Sequence, residues 1–333
     1  MKTLRSNLEV FAETVEALAR TDPSLLVVTS DSRGSGKLSG FASRMPDRMI
    51  EVGIAEQNLV GVAAGLAAGG KSVFAVSPAS FLTTRSLEQI KHDVCYSDRP
   101  VILTGISAGV SYGALGSTHH SLHDFAALRA FHNITIVAPA DNFETAEAVA
   151  AARHAKTPVY LRFGKAPLPD LSVGTSALGA SGPPAALSAT HGASGRPAGG
   201  FQLGKGRLIH DGSDGAFIAT GETVGRALAA ARALENDGAS IAVVSMHTIK
   251  PLDAQLIQTL AAGVRAIVTV EEHSEHGGLG DGCARVLMEA GMSPRFRVVA
   301  IPDEYTVTGS QTEILDHYGM SPDGLAYTMR ALL

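Results

Sequence analysis

Five runs in the first half of the chain are apolar on consecutive positions rather than alternate ones: LLVVTS at 25–30, KSVFAVS at 71–77, PVILTGIS at 100–107, ITIVA at 134–138 and PVYLRF at 158–163. A strand of that kind hides both its faces, which is the condition of a parallel sheet clothed by helices on either side. The stretches between the runs carry helical spacing. Leu8, Phe11, Val15 and Leu18 recur on one face among Glu9, Glu13 and Glu16, and further helices are predicted from Glu56, over 81–96 and over 142–154. A shorter strand within 46–54 leads into the Glu56 helix. Strands alternating with helices at this spacing predict a doubly wound α/β unit.

Periodicity stops over 169–200, where Gly, Ala, Ser and Pro dominate and charge nearly vanishes. Such a composition predicts a flexible linker. Beyond it, strands at 215–220, 240–245, 266–270 and 297–300, with helices at 223–236, 253–262 and 279–290, predict a second and smaller α/β layer. The expected organisation is therefore two doubly wound domains, 1–168 and 201–333, joined by 169–200. A chain of 333 residues suffices for both, and with 45% hydrophobic but only 5% aromatic residues its core is aliphatic and rich in alanine. The net charge of −5 has its signs interspersed, and the absence of a basic stripe argues against nucleic acid as a partner. No apolar run approaches a membrane span, and the N-terminus reads as an amphipathic helix rather than a signal peptide. Cys95 and Cys283 lie far apart without metal spacing, consistent with reduced thiols in the cytoplasm.

Within 49–70, MIEVGIAEQNLVGVAAGLAAGG, one carboxylate, Glu56, sits among apolar and small residues. Ionising it there is costly unless the site needs the charge, and a buried Glu with no obvious neighbouring cation is a candidate for function. The other reading is a first-turn Glu on a surface helix, favoured by the helix dipole. The loop 105–124, GISAGVSYGALGSTHHSLHD, holds His119, His120 and His123. If helical, His119 and His123 would share a face with Asp124 at hand, which is the metal reading. The Gly/Ser surroundings offer no closed coordination pattern, so neutral imidazole hydrogen bonding to a substrate is preferred, and no metal site is expected in this chain.

The segment EVGIAEQNLVGVAAGLA resembles the pyrimidine-binding domain of thiamine-diphosphate enzymes, in the branch of transketolase and deoxyxylulose-phosphate synthase. In that family the motif's Glu hydrogen-bonds a ring nitrogen of the cofactor's aminopyrimidine, and Glu56 is the matching residue. The resemblance extends to the second domain through EEHSEHGGLG and so covers nearly the whole chain. It implies that Phe81 stacks on the aminopyrimidine, that Ile54 and Asp31 join the cofactor contacts, and that His119, in the pair Thr118–His119, meets the donor sugar. Arg5, Ser35 and Arg162 are the implied grip on the substrate phosphate, Arg162 also standing at a strand end where open sheets place ligands. Thr84 and Leu87 replace two further aromatics of the family pocket. Leu115 and Ser107 stand where the family carries a substrate-reading Asp and a second His, which puts the ordinary donor in question. Gly280–Gly282 spells GDG, yet without the following Asn of the family's metal motif, so Asp281 reads as a helix-start residue. His273 and His276 read as strand-end and turn residues.

The resemblance supplies a pyrimidine half without a diphosphate half. It implies one subunit of a split transketolase, active only with an N-terminal subunit that carries the diphosphate grip and Mg2+, in a cytoplasmic heterotetramer. The implied reaction moves a two-carbon ketol unit from a ketose phosphate to an aldose or aldose phosphate through thiamine diphosphate. Alternatives are a split transketolase for a branched or modified ketose phosphate of the apulose-phosphate type, a deoxyxylulose-phosphate synthase, or a 2-oxoacid dehydrogenase beta subunit, all of which would share Glu56. A non-enzymatic scaffold is the remaining reading, and the joint presence of Glu56, Phe81 and His119 argues against it.

Overall fold

A computed structural model describes residues 4–171 and 200–333. Its first sheet is built from β2 (Leu25–Thr29), β3 (Met49–Glu51), β4 (Ser72–Pro78), β5 (Val101–Ile106), β6 (Thr135–Val137) and β7 (Val159–Arg162). These six are mutually parallel, in the order β6-β7-β5-β4-β2-β3. Every residue of β5 and β7 is buried, as consecutive apolar runs require. A two-stranded ribbon pairs β1 (Arg5–Ser6) with β8 (Pro167–Leu168) and ties the start of this unit to its end.

The second sheet runs β14-β13-β10-β11-β9, from β9 (Arg207–His210), β10 (Gly215–Ala219), β11 (Ile241–Ser245), β13 (Ala266–Ser274) and β14 (Arg295–Ile301). All its pairings are parallel except that of β9 with β11. The two doubly wound layers expected from the pattern are therefore present, with one unforeseen exchange. Strand β12 (Thr248–Lys250) leaves the second layer and pairs antiparallel with β6, becoming the seventh strand of the first sheet. The hydrophobic core follows it: Ala138 and Ile136 share one cluster with Met246, Ile249, Ile257 and Leu279.

Local chemistry explains the helices that matter for the site. Ser6 and Glu9 form a reciprocal capping box that starts the Asn7–Thr21 helix, whose buried face carries Leu8, Phe11, Val15 and Ala19. Phe11 packs between Phe74 of β4 and Phe163 just past β7. The helix expected over 81–96 is broken instead. It is α-helical over Ala79–Arg85 and Leu87–Gln89, then widens to a π-helix over Ile90–Tyr96. The strand expected within 46–54 shrinks to Met49–Glu51. Of the predicted linker, residues 172–199 lie outside the described residues.

Candidate active site

The parallel strands of the first sheet end on one edge, and the loops leaving β2, β4, β5 and β7 there carry the residues of interest, as open α/β sheets dictate. Between β3 and the next helix the chain turns through Gly53, at φ +73°. The Glu56–Ala68 helix then begins with Glu56 itself, in the first turn, where the dipole favours a negative charge. Its side chain is only 4% exposed.

A cation is in fact its partner. Arg85 Nη1 lies 3.1 Å from both Glu56 oxygens. The Arg85 guanidinium also covers the Phe81 ring, 4.2 Å from its centroid. The expectation of an unpaired buried Glu is corrected on this point, because Arg85 arrives from a helix after another strand. The signal was present nonetheless: Phe81 and Arg85 are four apart, one turn on a single helical face. Ile54, Ala55, Glu56, Gln57, Asn58 and Arg85 line an open hollow of about 550 Å³, with Ile54 74% exposed at its rim.

From Phe81 a row of rings leads to the histidine loop. His119 meets Phe81 edge-on at 5.4 Å and Tyr112 edge-on at 5.4 Å, and Lys165 Nζ stands 4.9 Å over the Tyr112 ring. His119 Nδ1 is engaged by Thr118 Oγ1 at 3.0 Å. Its Nε2 has no hydrogen-bond partner among the described residues and remains available to a ligand. The structure thus brings Glu56, Phe81 and His119 into one contiguous row and adds Arg85, Tyr112 and Lys165, which sequence reasoning missed.

Two neighbouring histidines do other work. His120, with Nδ1 2.7 Å from Thr306 Oγ1 and Nε2 3.0 Å from the Gly113 carbonyl, is buried between the two layers, and burial lowers its pKa. His123 Nε2 bonds Thr83 Oγ1 at 3.2 Å, and burial likewise lowers its pKa. Neither shares a ligand set with His119, so the metal reading of this loop loses its geometry.

Arg162 is tied into the protein more deeply than a strand-end position alone requires. Its guanidinium is buried, with Nε 2.7 Å from Asp124 Oδ2, and Nη2 donates to the carbonyls of Ser121 at 3.2 Å and Glu272 at 2.8 Å. Asp124 accepts from Tyr160 Oη at 2.8 Å as well, and Arg162 lies over Phe125, 4.6 Å from its centroid. Nε and Nη2 are thus committed within the protein, while Nη1 has no hydrogen-bond partner among the described residues. Lys165, three residues on, is exposed.

The remaining expected residues lie on the loop after β2, near the start of the chain, on the histidine loop and in the second layer. Asp31, at φ +51°, donates its backbone N–H to Glu51 Oε1 at 2.6 Å, which also receives the Gly53 N–H at 3.1 Å. Asp31 lines a neighbouring hollow of about 360 Å³ with Arg33, Gly34, Ser39, Ala42 and Ser43. Ser35 is exposed in the loop between them. Arg5 pairs with Glu13 at 2.5 Å near the surface, and both Arg5 and Lys37 contribute to holding the Glu9 carboxyl below its ordinary pKa, after the bonds from Ser6. Leu115 is 57% exposed on the histidine loop, while Ser107 is buried at φ +54°. In the second layer Asp281 accepts the Gly277 N–H at 2.5 Å, in the first turn of the Leu279–Glu289 helix. His273 stacks on Phe125 at 5.0 Å.

Comparison with known proteins supplies the lineage. Residues 5–170 match the family model of the transketolase pyrimidine binding domain, and residues 204–325 that of the transketolase C-terminal domain. The chain is 41% identical over 318 residues to one of the subunits of an apulose-4-phosphate transketolase from Phocaeicola vulgatus, across 96% of this chain and 94% of that protein. A putative transketolase C-terminal section of Methanocaldococcus jannaschii is 34% identical over 95% of this chain and 92% of its own length. Among solved structures, a split gene transketolase described as an inactive beta4 tetramer superposes with a TM-score of 0.82 at 30% identity, covering 99% of both chains. With both domains in the same order and such identity over almost its full length, this chain belongs to the transketolase family.

Proposed function

We propose that this chain is the pyrimidine-binding subunit of a two-subunit transketolase that moves a two-carbon ketol unit from a ketose phosphate to an aldose or aldose phosphate. The observation that carries this reading is Glu56, buried at a helix start and opening onto a hollow beside the Phe81–His119 row. Transketolase-family domains imply thiamine diphosphate, and the donor set fits its aminopyrimidine. Each Glu56 oxygen accepts one bond from Arg85 and keeps a further acceptor direction, so the carboxylate can still take a ring N–H. The group supplies the carbanion chemistry by which a bond next to a ketose carbonyl breaks and re-forms.

The roles of this chain's residues follow. Glu56 holds the proton at the ring nitrogen, and Phe81 gives the ring an apolar wall, with Ile54 and Asp31 at the margins. His119 uses its open Nε2 to hydrogen-bond the oxygen on which charge develops and to move its proton. Arg5 and Ser35 on one side, and Arg162 with the neighbouring Lys165 on the other, hold the substrate phosphate.

The hollow at Glu56 opens outward beneath an exposed Ile54, which supports completion by a second subunit carrying the diphosphate grip and Mg2+. A relative of matching length is named as one subunit of a transketolase, and the similar solved assembly of four beta chains is described as inactive. A two-fold heterotetramer is the smallest symmetric form. No helix among the described residues is long and apolar enough to cross a membrane, and both cysteines are unpaired and buried, which supports the cytoplasm. As donor, a branched ketose phosphate of the apulose-phosphate type is favoured by an exposed Leu115 and by two relatives bearing that substrate in their names.

The test is ketol transfer by the complex that co-purifies with this chain, given thiamine diphosphate, Mg2+ and a panel of ketose and aldose phosphates. Cofactor-dependent transfer is expected, and its donor preference identifies the substrate. A complex that transfers nothing and whose partner lacks a metal site overturns the reading.

A further inference from the structure

The C-terminal layer reaches the histidine loop at points that packing alone does not require. Glu272, near the end of β13, is 3% exposed, and its Oε1 accepts the Val110 N–H at 2.8 Å. Gln311 Nε2 donates to the same oxygen at 3.0 Å and to Glu222 Oε2 at 2.7 Å, so one amide bridges two carboxylates. Glu222 Oε1 is shut off from solvent without a hydrogen-bond partner.

Two glycines make room for this bridge. A Cβ on Gly109, at φ +62°, would meet Glu272 Cδ at 2.3 Å, and a Cβ on Gly164 would meet Glu222 Oε1 at 2.0 Å. Gly109 opens the loop that carries Tyr112 and His119 and is bridged back to Ser121 at the far end of that loop. Gly164 immediately precedes Lys165. Each carboxylate therefore presses on the root of one loop that presents a side chain to the proposed substrate.

We infer that Glu272 and Glu222, joined by Gln311, are positioning residues by which the C-terminal domain sets the spacing between His119 and Lys165. The chain of cause is short. The Val110 N–H fixed on Glu272 holds the turn whose Gly113 N–H bonds the Val110 carbonyl at 2.8 Å, and Tyr112 in that turn backs the His119 ring. Glu222 lies against Gly164 and bounds where the Lys165 main chain can go. Two like-charged acids are an unfavourable choice for mere cohesion. Burial, and then the neighbouring Glu272, push the Glu222 carboxyl up to about 8, and burial raises the Glu272 carboxyl as well. Arg162 and the Ala166 amide act on Glu222 in the opposite sense, and Arg162 and Arg226 do so on Glu272.

The inference rests on the transketolase reading for its functional half, and the experiment separates the two. Glu272→Ala, Glu272→Gln and Gln311→Ala would be prepared in the full chain and assembled with its partner subunit. Hydrogen exchange over residues 107–121 and 163–168 is expected to quicken at least tenfold in Glu272→Ala. The same variant is expected to lose at least tenfold in kcat/KM for the ketose phosphate, with thiamine diphosphate affinity within twofold of the parent. Glu272→Gln, which keeps an acceptor for Val110, should recover most of both. Unchanged exchange in a normally folded Glu272→Ala or Gln311→Ala overturns the positioning role, whatever the activity. Quickened exchange with unaltered kcat/KM overturns its bearing on the substrate. Quickened exchange in the variants of a complex whose parent shows no ketol transfer upholds the geometric claim and removes the transketolase reading instead. If Glu272→Ala does not fold, Gln311→Ala carries the same comparisons, since it removes the bridge while leaving the Val110 bond.

Discussion

The row of rings from Phe81 to Tyr112 ends in two different ways. At the Glu56 end, a single half-exposed Arg85 faces the carboxylate, and a hollow rimmed by Ile54 opens outward. At the Tyr112 end, the loop is held by groups from another layer: Glu272 on Val110, Thr306 on His120 and Ser117, and Gly309 against Gly113. Nearby, Asp124 and Arg162 close a buried network to which Tyr160 and the Glu272 carbonyl contribute. One end is finished by the chain itself and the other is not. On the proposed reading, the chain completes the histidine loop itself and leaves Glu56 at an open face for a second subunit to close.

The predictions bear on that contrast. The largest effect belongs to the open end. Glu56→Gln in the assembled enzyme should lower kcat by about 10²–10⁴, the range for losing a positioned acid–base group, with an unchanged unfolding midpoint. Turnover near that of the parent would break the contrast at its root. Next comes the closed end, where Arg162→Leu leaves Asp124 buried without its cation and should cost about 3–5 kcal/mol in denaturant unfolding. A loss no larger than that of a surface pair would mean the network is not the lock described.

Arg85→Ala sharpens the comparison from the other side. Its pair with Glu56 is half open to water, so stability should fall by only about 1 kcal/mol, while cofactor affinity in the complex drops several-fold. A further effect, outside both ends of the row, is a slope. Between the ordinary carboxyl value of 4.5 and about 8 the folded protein holds a proton on Glu222 that the unfolded chain has released. Folded stability must therefore fall as pH rises through that window, by the sign of proton linkage. Glu222→Gln should flatten this part of the curve, and parallel curves for parent and variant would contradict it.

Much of this was legible in the sequence, for local reasons. Consecutive apolar runs predict parallel strands, and the strands fall where the runs lie. Leu8, Phe11, Val15 and Leu18 recur at helical spacing, and the first helix lies there. Glu56 stands out because its neighbours are apolar. What escaped depends on distance along the chain. Arg85 reaches Glu56 across 29 residues, and Asp124 reaches Arg162 across 38. Strand β12 joins a sheet whose neighbouring strand lies more than a hundred residues earlier, and its three residues carry no periodicity to read. Arg162 illustrates the limit best. Its position at a strand end follows from local pattern, but whether the side chain faces outward or into the junction depends on Asp124 and the Glu272 carbonyl.

The most direct test of the half-site is thiamine diphosphate binding, measured by calorimetry with Mg2+ on the isolated chain and on its complex with the partner subunit. Tight, Mg2+-dependent binding by the complex, with weak binding by the isolated chain, is the predicted result. Tight, Mg2+-dependent binding by the isolated chain would contradict it.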